Sequence, residues 1–159
     1  MNVRTYQSML LLAFSLLFIT GKASESEFIT IHCKSSFSET MVHLQEVLLE
    51  NGYHSLRVQR IDVGLSNHGY KSDKYQIVFF SKANEIETLK NIYPILIPFL
   101  PHKITIYSDN NQTVVNTISP NVLGRFFQEP EIREVFSRWD DDIRIIMSEV
   151  GVCLSLDAL

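Results

Sequence analysis

The sequence predicts an α+β fold: a two-layer sandwich with helices packed on a mainly antiparallel five-stranded sheet, in the order β-α-β-β-α-β-β-α. Three observations predict it. Five short segments alternate apolar and polar residues, three longer ones repeat apolar residues at three- and four-residue steps, and no repeat, low-complexity tract or linker divides the chain. Setting aside a leader at residues 1–23 leaves 136 of the 159 residues, enough for one core.

Ile29, Ile31 and Cys33 alternate with Thr30, His32 and Lys34, a strand signature. Ser36 and Glu39 form a capping box, so a helix opens there, with Phe37, Met41, Leu44 and Leu48 on one face. Asn51-Gly52 stops it. Leu56 and Val58 begin a second strand whose phase slips toward Ile61 and Val63, the mark of a bulge or a strand end. A polar loop is expected over Gly64 to Lys74, and Tyr75, Ile77 and Phe79 resume the alternation. Asn84 with Glu87 predicts a second cap, ahead of Ile86, Leu89 and Ile92 at helical spacing. Pro94 ends that helix, and Pro98 and Pro101 are expected to keep the next stretch extended. Ile104 and Ile106 mark a fourth strand, Asp109 to Gln112 a turn, and Val114 to Ile118 a fifth strand that closes a hairpin. Ser119-Pro120 is a cap with proline at the first helical position. From Pro130, Ile132, Val135, Trp139, Ile143, Ile146 and Val150 trace a long helix that Gly151 stops.

The leader is read from its own chemistry. Arg4 precedes the apolar run Met9 to Thr20, and Gly21-Lys22-Ala23 supplies small residues for cleavage, so residues 1–23 are expected to be a signal peptide. The run is shorter than the roughly 20 apolar residues a membrane span needs, so no span is expected after cleavage. The mature chain, residues 24–159, is then exported, periplasmic or extracellular, with a core over 28–118 and a helical extension over 119–151. The leader holds Arg4 and Lys22 and no acid, so the remainder has 12 basic against 18 acidic residues, net −6. That balance argues against nucleic acid as a partner. Cys33 and Cys153 are the two cysteines; a bridge between them and two separate buried thiols remain equal alternatives. Asn111-Gln112-Thr113 is a glycosylation sequon, relevant only in a eukaryotic secretory route.

The residues Asn51-Gly52-Tyr53, Arg60-Ile61-Asp62, Tyr75 to Phe80, Ala83-Asn84 through Leu89, Pro94, Leu100-Pro101, Ile104 to Tyr107 and Ser119-Pro120 occur in an order that resembles the domain-of-unknown-function 302 family. The resemblance runs from about Phe28 to Ile118. It implies a small α+β domain of bacteria and archaea that self-associates, with no established activity and no catalytic residues to transfer. The C-terminal helix and Asp140-Asp141-Asp142 look particular to this chain.

Recognisable chemistry is sparse. His32, His43, His54, His68 and His102 are scattered, without metal-ligand spacing, and no phosphate loop, dinucleotide fingerprint or nucleophile elbow occurs. No metal, cofactor or catalytic set is therefore assigned. Asp140-Asp141-Asp142 is expected on a solvated helix face, with Asp140 paired to Arg144 and Asp142 to Arg138. By elimination the loop around His68 and Tyr70 becomes a binding candidate.

A second candidate comes from the strand faces. If Ile29, Ile31, Tyr75, Ile77, Phe79, Ile104 and Ile106 face the first two helices, then Phe28, His32, Val78, Phe80, Tyr107 and Val115 face away, among Thr30, Thr105 and Thr117. Such an apolar patch marks a binding surface unless the last helix covers it. His32, Phe80 and Tyr107 are its binding candidates. The expected function is a non-catalytic binding or interaction module acting as a homodimer. The alternative is an enzyme on a small molecule with His68 as general base and Tyr70 or His102 nearby. A third reading is an accessory to an exported protein complex.

Overall fold

Backbone hydrogen bonding turns the five alternating segments into one antiparallel sheet in the computed structural model, which describes residues 27–152. The strands are β1 (Phe28–Cys33), β2 (Tyr53–Arg60), β3 (Tyr75–Lys82), β4 (His102–Asp109) and β5 (Gln112–Ile118), in the order β1-β5-β4-β3-β2. The helices are α1 (Phe37–Glu50), α2 (Ile61–Asn67), α3 (Glu85–Ile92), α4 (Pro120–Gly124) and α5 (Pro130–Val152), with a 3-10 helix over Pro94–Phe99. The predicted α+β sandwich is the fold, with two short helices and the 3-10 turn added to the expected order. Both the leader and Cys153 lie outside the described residues, whereas Cys33 is buried in the core.

Local chemistry explains most boundaries. At the start of α1 the Ser36 N–H donates to Glu39 Oε2 at 2.9 Å and the Glu39 N–H donates to Ser36 Oγ at 3.3 Å. The expected capping box thus satisfies two donors that the helix itself cannot. Gly52, at φ +76°, then reverses the chain into β2. Asn110 and Asn111 both have positive φ, the geometry of a two-residue hairpin turn whose twist matches its strands. Asn111 of the sequon is exposed at this tip.

Several local expectations are corrected. The phase slip in β2 lies at Leu56, between Ser55 and Arg57, and the strand ends at Arg60 because α2 begins there. The first part of the expected loop is therefore helical. Pro94 opens the 3-10 helix, where its missing N–H is not needed, Pro98 lies inside it, and the Leu96 and Leu100 N–H groups donate to Tyr93 and Ile97 at its two ends. Asn84 sits at φ +64° and makes no side-chain cap; its carbonyl accepts from Thr88 Oγ1 instead.

Register fixes the faces. Val78 pairs with Ile104 and Phe80 with His102, while Ile106 pairs with Val115 and Val115 with Ile31. Directly opposed residues share a face, so these form one side, buried under α1 and the C-terminal half of α5 with Leu44, Leu48, Ile146 and Val150. Ile29, Ile31, Ile104 and Ile106 face the helices as expected. Tyr75, Ile77 and Phe79 do not, and Val78, Phe80, Val115 and Thr117 replace them, a one-residue phase correction in β3 and β5. A second cluster beyond the end of the sheet joins Leu89, Leu96, Ile132, Phe136 and Trp139. The long helix therefore serves two cores and lies beside α1, leaving the opposite sheet face without it.

Candidate functional site

Where β4 begins and β5 ends, the sheet meets the second cluster, and a cavity of about 430 Å³ forms between them. Phe28, Ile77 and Lys103 reach it from the uncovered face, and Phe99, Phe136 and Trp139 from the cluster. Proline-rich local structure builds the wall. The 3-10 helix presents Phe99, whose ring meets Phe136 edge-on at 5.4 Å, and Pro120 starts α4 against α5. Gly124 makes that approach possible: a Cβ there would lie 2.9 Å from Phe136 Cβ.

His102, the first residue of β4, also lines the cavity. Its ring stands edge-to-face on Trp139 at 4.8 Å and lies 5.6 Å from Phe80 and 6.0 Å from Tyr53. Only 6% of the residue is exposed, and Nε2 has no hydrogen-bond partner among the described residues. Burial, helped by the Lys82 ammonium and opposed by Asp142, pushes its pKa down to about 4, so the imidazole is neutral at ordinary pH.

A polar chain runs behind this ring. Tyr53 Oη donates to Asp142 Oδ2 at 2.8 Å, and Lys82 Nζ donates to the same oxygen at 2.6 Å while lying 4.8 Å from the centre of the Tyr53 ring. Burial and the neighbouring carboxylate both push the Tyr53 phenol upward, fixing it as a neutral donor. Trp139 Nε1 and Arg138 both donate to Glu85 Oε1, at 2.8 and 3.1 Å. The next residue of α5, Asp140, is 1% exposed and accepts from Ser119 Oγ, the Asn121 N–H and Arg144. The acidic triplet is therefore not a solvated face. Asp140 pairs with Arg144 as expected, Asp142 takes Lys82 in place of Arg138, and only Asp141 is exposed.

The residues singled out from sequence are dispersed. His68 follows the last residue of α2 and Tyr70 lies two residues on; both are exposed and line none of the described cavities. His32 is exposed on the uncovered face of edge strand β1. Tyr107 is half-buried on that face, 6.2 Å from Tyr75. Phe80 is fully buried under the helices, which corrects its expected place on the outward face. The cluster of Tyr53, Lys82, His102, Trp139 and Asp142 was missed, although a signal existed: residues 102, 104 and 106 share a parity, which puts His102 inside with Ile104 and Ile106.

Among the described residues no three His, Cys, Asp or Glu side chains converge on a metal position, and no helix is long and apolar enough to cross a membrane. The arrangement offers a mostly apolar cavity, a neutral buried imidazole and one ammonium group.

Comparison with known proteins bears on the fold. No curated protein matches the chain. A crystal structure of an uncharacterised conserved DUF302 protein from Bacillus stearothermophilus is similar, with a TM-score of 0.73 at 20% identity, covering 79% of this chain and 99% of that one. The family model for the domain of unknown function DUF302 matches residues 29–150, which takes in α5 and its aspartates as well as the sheet. With nearly all of the sheet and the helices packed on it inside that match, the chain belongs to the DUF302 family.

Proposed function

We propose that this chain is an exported, non-catalytic binding module that works as a homodimer joined through the uncovered face of its sheet. The observation that carries the reading is the composition of that face. Tyr75, Ile77, Phe79 and Tyr107 are half-buried across its middle, and Phe28 and Ile118 are 51% and 47% exposed at one end. Lys103, Thr105, Asn116 and Thr30 lie between these two groups, so the face combines apolar anchors with polar gaps, as interaction sites do.

Five strands spaced ~4.8 Å apart and about seven residues long give a face of roughly 24 by 24 Å. Two such faces bury about 1,150 Å² or slightly more, near the lower bound of stable interfaces. A self-complementary pairing about a two-fold axis would use nearly the whole face, so one charge at its centre should break it. Sedimentation at high micromolar concentration is expected to show a dimer for the native chain. Tyr107→Glu is expected to be monomeric with unchanged circular dichroism; a native monomer, or an unaffected dimer in the variant, overturns the reading. Export is tested separately, by mass spectrometry of the amino end for cleavage after Ala23. Binding to another exported protein or to a small molecule is compatible with the same module. The enzyme alternative, with His68 as general base, is less supported because His68 lines none of the described cavities.

A further inference from the structure

We infer that the cavity at the end of the sheet binds an amphipathic monocarboxylate, its apolar body lying against Phe99, Phe136 and Trp139 and its carboxylate meeting Lys103. The cavity has the size and character of a small-molecule site, about 430 Å³ with largely apolar walls and few polar groups. A site of that kind takes its specificity from those few polar groups.

Lys103 decides the charge. It is the only ionised side chain in the lining, and it makes no ion pair among the described residues. A single ammonium suits one negative charge; recognition of a phosphate ordinarily recruits several donors or a bidentate arginine. The apolar walls exclude a small hydrophilic anion, because such a ligand would lose its water without compensation. An apolar body and one carboxylate together satisfy both constraints.

His102 completes the cavity wall. It is more than nine-tenths buried, lines the same cavity and leaves Nε2 without a partner among the described residues. Its neutral imidazole tolerates the apolar surroundings.

The test uses the protein's own reporter, since Trp139 is the single tryptophan of the chain and stands in the cavity wall. Decanoate, decanol and decylamine are titrated below micelle-forming concentrations while tryptophan emission is followed. Decanoate is expected to give a saturable change and to bind more tightly than decanol, with decylamine weakest. Lys103→Met is expected to weaken decanoate about tenfold and leave decanol unchanged. Lys103→Glu is expected to reverse the order of decanoate and decylamine. Lys103 is exposed, so both variants should fold, and circular dichroism checks that they do. The inference is overturned if decanoate gives no saturable response, if decylamine binds best to the native chain, or if neither substitution changes the order. Because Phe28, Ile77 and Lys103 lie on the face that the proposed dimer would cover, the deciding titration is made on the Tyr107→Glu variant, whose site is free whatever the dimer does; Tyr107 itself does not line the cavity.

Discussion

Among single residues, Asp140 and His102 carry the largest consequences, for opposite reasons. Asp140 is a buried charge whose partners surround it, so removing it strands them. Asp140→Ala is expected to cost about 3 kcal/mol in chemical denaturation. Its exposed neighbour Asp141→Ala should cost less than about 0.5 kcal/mol. Spacing revealed the Asp140–Arg144 pair, but not that Asp140 is buried, because Ser119 and Asn121 approach it from outside the helix. His102 is a buried base held neutral. Its imidazole falls from 6.5 to about 4 on folding, so between those values the unfolded chain takes up a proton that the folded chain refuses. The stability it confers is complete above about pH 6.5 and is lost as pH falls toward 4, a span worth at most about 3 kcal/mol. His102→Gln should flatten that part of the stability profile, which urea unfolding on either side of the window would measure.

Individual elements differ in how openly the sequence declared them. The capping box of α1 was legible because its two partners are three residues apart, and Ser36→Ala is expected to lower stability by about 1 kcal/mol in thermal unfolding. The phases of β3 and β5 were not legible. In β3, residues 77 to 80 are Ile, Val, Phe and Phe, and in β5 Val114 and Val115 are adjacent, so both parities are apolar and alternation cannot choose. Pairing chose instead: opposite Ile104 and Ile106, only Val78 and Val115 reach the helices. The 3-10 helix was hidden because its prolines signal extension as strongly as they permit a tight helical start. The packing of α4 on α5 depends on a missing side chain. Gly124→Ala would force a Cβ against the rigid root of Phe136 and is expected to cost about 2 kcal/mol, read from the thermal midpoint.

Across the whole molecule, the sheet order was beyond sequence reading, since alternation identifies strands without naming their neighbours. The cavity was hidden for the same reason: it exists only where β4 and β5 meet the second core, and no local spacing joins Lys103 to Trp139. The order also has a temporal consequence. The first strand pairs only with the last, Phe28 with Ile118 and Cys33 with Thr113. A fragment ending at Asn111 should therefore show no cooperative transition by circular dichroism, although it contains four of the five strands. Pairings so distant along a chain form slowly, after their loop-closure entropy has been met. A nascent polypeptide of this design stays threadable until most of it has been synthesised, because the strand that leaves the ribosome first must wait for a mate made eighty or more residues later.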